Sequence, residues 1–190
     1  AALVSALSVS WSAGMPAGAD LQAAVDELGR CNGVYGFLVG RPDGSYTTSQ
    51  EMPAGYDPRT RDWYKSAAAS DKVEISPVYP TASDHTNVVT LSRAIMKNGA
   101  LIGVLSINIQ LDAVREVVEG VKVGETGTIV ILGPDTEYIH HSTYTLADKF
   151  KEIDGGAYKE IAEKLTAGSP VQLEADYQGE AKFYAGMPIG

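Results

Sequence analysis

The sequence predicts an α+β fold in which antiparallel strands are joined as hairpins and helices are inserted between them. Three observations point there. Apolar residues near the N-terminus recur at helical spacing, with Leu3, Leu7 and Trp11 four apart. From Gly33 the pattern changes to strand-like runs bounded by tight turns, of which Asn98-Gly99 is the strongest hairpin signal. Beyond residue 120 the order of hairpin, helix and strands comes round again, without detectable sequence identity to the first part.

In chain order, residues 1–12 form a first helix, which Gly14-Met15-Pro16-Ala17-Gly18 breaks. Asp20 caps a second, with Leu21, Ala24, Val25 and Leu28 on one face and an end near Gly29. Residues 34–39 and 45–49 pair around the turn Arg41-Pro42-Asp43-Gly44. A helix capped by Thr60 and running to about Ser70 follows. Residues 73–79 and 87–96 are strands joined by the loop 80–86, and Asn98-Gly99 feeds residues 100–110. The result is a five-stranded antiparallel sheet with a helix inserted after its second strand. A short helix at 111–119 turns Val114, Val117 and Val118 inward. Next, residues 128–132 and 137–141 pair around Gly133-Pro134-Asp135. Residues 154–167 form a helix carrying Tyr158, Ile161, Ala162 and Leu165, and strands 171–177 and 181–187 pair around Gln178-Gly179.

A chain of 190 residues can bury a proper core, as one domain or two small ones. Its net charge of −9, with no basic cluster, argues against nucleic acid and against an anionic membrane surface as partners. No run reaches the length that spans a bilayer. The abrupt start at Ala1 and the stop within a strand-like run at Gly190 read as a fragment cut from a longer protein. Cys31 is the only cysteine, so neither an internal disulfide nor a cysteine metal cluster is available, and the compartment stays open.

Residues 55–70 are the least ordinary stretch. Between Tyr56 and Tyr64 they pack two tyrosines, a tryptophan and two arginines. Asp57-Pro58 is a turn signal, and the helix start behind it favours an anion nearby. Arg61 adds a planar fork that grips a carboxylate through two parallel hydrogen bonds. With Trp63, Tyr56 and Tyr64 as apolar walls, these are parts of a pocket for a small carboxylate-bearing molecule. Cation–π contact across a sheet accounts for the same cluster without any ligand.

Tyr56, Arg61, Trp63 and Tyr64, followed by Tyr79, stand at the spacing of the amino-acid-binding motif of double Cache sensor domains. The phrases GVYGFLVGRPDGSY, ISPVYPTAS, NVVTLSRAI, LIGVLSINIQLDAV and GETGTIVILGPDTEYIHH resemble that family too, over most of the chain from Cys31. The resemblance implies an N-terminal helical segment at 1–30 and two stacked PAS-like antiparallel-sheet subdomains. The membrane-distal, ligand-binding one covers 31–120, and the membrane-proximal one covers 121–190 and is cut short at its C-terminus. It also implies that the long N-terminal helix of the family is shortened here.

By that resemblance, Tyr56, Arg61 and Trp63 hold the carboxylate of an amino acid, while Tyr64 and Tyr79 hold its ammonium with an acid on the last strand of the sheet. The polar face of that strand is Ser106, Asn108 and Gln110, and the family's aspartate falls on Asn108. A second aspartate of the family falls on Thr81, leaving Asp84 in the same loop as a substitute. Two ligands remain open: an amino acid held by tyrosines, carbonyls and Asp84, or a short hydroxy, keto or simple acid accepting from the Asn108 amide.

Other candidates are weaker. His140 and His141 are neighbours on a strand and point to opposite faces, so they do not share a metal. Ser83-Asp84-His85 lacks an oxyanion loop, and Gly124-Glu125-Thr126-Gly127 lacks the lysine and helix of a phosphate loop. Tyr138, Tyr144 and Tyr184 read as core or surface tyrosines. The expectation is therefore a non-enzymatic sensor with no cofactor and no metal. It is the extracytoplasmic (periplasmic) domain of a membrane-anchored, homodimeric methyl-accepting chemotaxis receptor, or of a sensor histidine kinase or diguanylate cyclase. A secreted enzyme anchoring a carboxylate substrate on Arg61 is the rival, and it lacks any acid–base or nucleophile constellation.

Overall fold

The computed structural model describes residues 1–133 and 135–187, without the Val117 side chain. Pro134, the inward face expected of Val117 and the strand-like end at 188–190 lie outside the described residues. The chain divides into two compact units, Ala1–Val114 and Arg115–Gly190.

The first unit starts with helices α1 (Ala2–Gly14) and α2 (Gly18–Gly29), followed by strands β1 (Val34–Gly40) and β2 (Tyr46–Thr48). Helix α3 (Asp62–Ala68) and the short strands β3 (Glu74–Ile75) and β4 (Tyr79–Pro80) come next. The long pair β5 (Asn87–Lys97) and β6 (Ala100–Gln110) completes the sheet. Its order is β2-β1-β6-β5-β3, with β4 also on β5, and every pairing is antiparallel. Asn98 (φ 51°) and Gly99 (φ 79°) both take the left-handed geometry that a two-residue hairpin turn demands.

Residue alternation gives this sheet two different faces. On one, Phe37, Val39, Leu105 and Ile107 pack with Ile95 against Val4 and Trp11 of α1 and Leu21 and Val25 of α2. Each such side chain contributes about 1.5–3 kcal/mol by leaving water. On the other, Leu38 and Val104 meet Trp63, Tyr64 and Ala67 of α3. That second face carries the site.

Three local expectations are corrected. The inward stripe of α1 is Val4, Ser8 and Trp11, and Leu3 is 45% exposed. Ser8 is tolerated inside because its hydroxyl donates to the Ala94 carbonyl at 2.7 Å. Asp20 lies in the first turn of α2 and not at its cap, which is Ala17. The single strand expected at 73–79 is split into β3 and β4. Pro77 has no N–H to give, and Ser76 Oγ takes the Thr90 N–H instead, at 2.9 Å.

Helix α4 (Leu111–Glu119) follows β6 directly. The second unit continues with β7 (Ile131–Leu132), β8 (Tyr138–His140), a 3-10 segment (Phe150–Gly156), α5 (Lys159–Leu165), β9 (Val171–Tyr177) and β10 (Glu180–Gly186). The expected order of hairpin, helix and hairpin is present, as two separate two-stranded sheets among the described residues. The helix expected from Asp154 starts later, at Lys159, because Asp154 (φ 50°) and Gly155 (φ 70°) are left-handed. Tyr138, Phe150, Tyr158 and Ala162 form the core, with Tyr144 and Tyr184 packed against it, and Tyr138 stacks on Tyr144 at 4.8 Å.

His141 belongs to this structural group. Its Nδ1 accepts from the backbone N–H of Thr143 (2.9 Å) and Tyr144 (3.2 Å), a role open only to the neutral ring. Burial, then the neighbouring His140, push its pKa below the ordinary 6.5. A lowered folded-state pKa means stability present above 6.5 and lost as pH falls through the folded value. Thermal melts from pH 7 to 5 should show this loss in the wild type. In His141→Asn, whose carbonyl accepts the same bonds without titrating, the loss should be reduced, and an identical slope would remove His141 from the account.

Candidate functional site

The site begins at Asp57. Its carboxylate accepts from the Arg59 N–H (2.9 Å) and from the Arg59 guanidinium (2.7 Å), an ion pair at the exposed surface. Arg59 is thereby committed to the turn, and its guanidinium crosses over Gly44. Pro58–Thr60 is a 3-10 turn, and Arg61 leaves it extended (ψ 143°) as the cap residue of α3. Thr60 therefore does not cap the helix, as the sequence suggested; its hydroxyl donates back to the Asp57 carbonyl at 2.8 Å. The consequence is that Arg61 stands at the junction of turn and helix with its side chain available.

Tyr56, Arg61, Trp63, Tyr79, Thr81 and Asn108 all line one cavity of about 370 Å³, counted with its open mouth. β6 supplies Asn108 and Ser106, β1 supplies Phe37 and Leu38, and the segment after β2 supplies Gln50 and Met52. Thr81, Ala82 and Ser83 of the loop 80–86 close one side. Arg61 is half-buried, and its guanidinium has no ion-pair or hydrogen-bond partner among the described residues. Its guanidinium carbon lies 5.9 Å from the Tyr79 ring centroid, so the cation–π contact allowed by the sequence is present inside the cavity.

The tyrosines are neutral donors. Burial pushes the Tyr56 pKa up to about 12, with the Arg61 charge and a hydrogen bond with Trp63 pulling the other way. Tyr46 fixes the Tyr56 ring edge-to-face at 5.3 Å. Burial raises the Tyr79 pKa, against a Thr90 hydrogen bond and the Arg61 charge.

Two expected residues stand elsewhere. Tyr64 does not line the cavity: successive helical residues point about 100° apart, so Trp63 faces the cavity while Tyr64 lies under Gly40. Asp84 has not swung in. It is exposed and serves the loop 80–86, accepting from Thr81 Oγ1 at 2.9 Å and from the Thr86 N–H at 3.1 Å. Hydrogen bonds from Tyr35, Thr86 and Thr81 hold its carboxyl well below the usual carboxylate range.

The structure adds residues that sequence reasoning did not select. Ser106 sits two residues before Asn108, on the polar face already visible in the strand. Gln50 and Met52 come from an irregular segment with no period to read. Thr90, fully buried on β5 directly beside Asn108, joins two parts of the site. Its hydroxyl lies 2.7 Å from the Tyr79 hydroxyl and donates to Asn108 Oδ1 at 2.7 Å.

Gln50 reaches the wall through a missing side chain. At Gly36, which pairs with Asn108, a Cβ would overlap the Gln50 carboxamide, whose N–H group donates to the Tyr35 carbonyl at 3.0 Å. Gly36→Ala should evict Gln50 with little change in the unfolding midpoint, because the clash is with the end of a flexible side chain. Ligand affinity, read by titration calorimetry, should fall about tenfold, the worth of one lost hydrogen bond. Unchanged affinity would show that Gln50 does not contribute.

The Cache domain family, in its dCache_1 form, matches residues 13–190. The methyl-accepting chemotaxis protein McpB of Bacillus subtilis (strain 168) is 31% identical over 120 residues, 62% of this chain and 18% of McpB. The ligand-binding domain of the Pseudomonas fluorescens chemoreceptor CtaA, solved with L-serine, superimposes with a TM-score of 0.71 at 19% identity, over 95% of this chain and 77% of that one. The ligand-binding domain of the Pseudomonas aeruginosa PAO1 amino acid chemoreceptor PctB, solved with L-Arg, gives 0.69 at 19% identity over 95% and 75%. The chain spans less than a quarter of the length of the curated chemotaxis proteins it matches. No helix among the described residues is long and apolar enough to cross a membrane. By the family match over residues 13–190, with sheet and helices in agreement, the chain belongs to the Cache domain family.

Proposed function

We propose that this chain is the extracytoplasmic ligand-binding part of a membrane-anchored chemotaxis receptor, and that the Arg61 cavity takes the carboxylate of a small ligand. Residues 31–120 are the sensing subdomain in this reading, with residues 1–30 as its helical approach and 121–190 as the second subdomain. One observation carries the proposal. Arg61 is a half-buried cation with no anionic partner among the described residues, set in a cavity walled by Tyr56, Trp63 and Tyr79. A buried charge is retained at a cost unless something pairs with it, and a bidentate carboxylate fits its geometry. In the receptor, which acts as a homodimer in this proposal, occupancy of the cavity is the event passed across the membrane.

The test is calorimetric titration of the 190-residue chain with a panel of amino acids and short organic acids. Saturable binding that depends on Arg61 supports the reading. Binding of a carboxylate with equal strength by Arg61→Ala overturns it.

A further inference from the structure

We propose that the cavity selects a 2-hydroxy or 2-oxo acid over the matching amino acid, with Arg61 on the carboxylate and the Asn108 amide, oriented by Thr90, on the oxygen at C2. This rests on the reading of the Arg61 cavity as the ligand site and adds the class of ligand.

The first argument is charge. Of the residues lining the cavity, Arg61 carries a full positive charge and none is a carboxylate. Asp84, the nearest acid in the loop, is exposed and engaged by Thr81 and Thr86. A monoanion brings the cavity to neutrality. An amino acid zwitterion adds no net charge and leaves it at plus one, with an ammonium placed in the same cavity as a guanidinium. The acceptors left on the wall, Gln50 among them, are neutral. A neutral acceptor gives about half the strength of a charge-assisted bond.

The second argument is hydrogen-bond polarity. Thr90 has one hydroxyl proton, and it goes to Asn108 Oδ1 at 2.7 Å. The 2.7 Å contact with Tyr79 then requires Tyr79 to donate to Thr90. The relay runs Tyr79 to Thr90 to Asn108, takes one lone pair of the Asn108 carbonyl and turns that oxygen towards Thr90. In this arrangement Asn108 offers a ligand its Nδ2 amide, a donor. A hydroxyl or keto oxygen at C2 accepts from it, whereas an ammonium meets N–H with N–H. Thr90 is fully buried and paired with Asn108 across β5 and β6, so its position in the relay is fixed by the sheet.

The experiment compares matched triplets that differ only at C2: alanine, lactate and pyruvate, then the isobutyl and benzyl equivalents. Each compound is titrated calorimetrically into the whole chain. In the wild type, the best oxygen-bearing member of the best-bound triplet should exceed its amino acid by about tenfold, one neutral hydrogen bond gained against an ammonium left without a charged acceptor. Asn108→Asp should reverse that order. Thr90→Val, which removes the relay but keeps the shape, should bring the ratio towards one while binding stays dependent on Arg61. Thr90→Ser, which keeps a hydroxyl, should preserve the ratio. If Thr90→Val does not fold, Asn108→Asp and Thr90→Ser still decide. A wild-type amino acid that binds more tightly than both oxygen analogues, in an Arg61-dependent way, overturns this inference and leaves the proposed site standing. A triplet series with no Arg61-dependent binder overturns both.

Discussion

Arg61→Ala should lower the affinity for the proposed carboxylate ligand by roughly thirty-fold to several thousand-fold. Truncating one partner of a hydrogen-bonded charge pair costs about 2–5 kcal/mol, and each 1.4 kcal/mol is about a tenfold change. The half-buried position of Arg61, at a cavity with an open mouth, favours the lower part of that range. The protein itself should hardly notice the change. Arg61 has no protein ion pair among the described residues to lose, only its contact with the Tyr79 ring. The unfolding midpoint should therefore move little while the titration changes greatly. Arg61→Lys should not restore binding, because an ammonium cannot supply the planar pair of donors. Arg59→Ala is the control: this arginine is tied to Asp57 outside the cavity, and its removal should leave ligand affinity close to wild type. Equal losses in the two alanine variants would mean that general charge, and not the Arg61 fork, attracts the ligand.

What the sequence could reveal follows from the range of each interaction. Asn98-Gly99 was legible because a two-residue turn is decided by the residues in it. The alternation of Leu105, Ile107 and Ile109 with Ser106 and Asn108 was legible because a half-buried strand has a period of two. The stripe of α1 was misjudged by one position, since Leu3 and Val4 are equally apolar and only the Ala94 carbonyl above Ser8 settles which face turns inward. The strand at 73–79 broke for a reason involving Thr90, fourteen residues beyond Ser76. The aromatic–arginine cluster announced itself by composition, but which of two adjacent aromatics faces the cavity depends on where α3 starts. The cap moved by one residue, from Thr60 to Arg61, and Tyr64 lies off the cavity wall. Gln50 and Thr90 carry no local signal at all. The first reaches the site over a glycine and the second through the pairing of β5 with β6.

Trp63→Ala should be strongly damaging to the first unit. Trp63 is 6% exposed, packs with Leu38, Val104 and Ala67 on the site face of the sheet, and meets the Tyr64 ring at 5.7 Å. Its backbone carbonyl, which alanine keeps, accepts from the buried Ser92 hydroxyl at 3.0 Å and ties α3 to β5, so the loss in the variant comes from the side chain alone. Truncating a buried aromatic to alanine costs about 3–5 kcal/mol, from lost burial and the cavity left behind. The only other tryptophan, Trp11, lies on the opposite face of the same sheet, in contact with Phe37. Its fluorescence therefore reports the unfolding of this unit in the variant. Urea titration should show a large fall in midpoint with the slope unchanged. Trp63→Phe should keep most of the packing, since a smaller aromatic still fills much of the space, but it removes the indole N–H beside Tyr56. That variant should therefore stay folded and bind ligand less well, separating the structural share of Trp63 from its share in the cavity wall. If Trp63→Ala unfolds at the wild-type midpoint, α3 is not held by its aromatic residue, and the placement of Arg61 at the head of that helix needs another explanation.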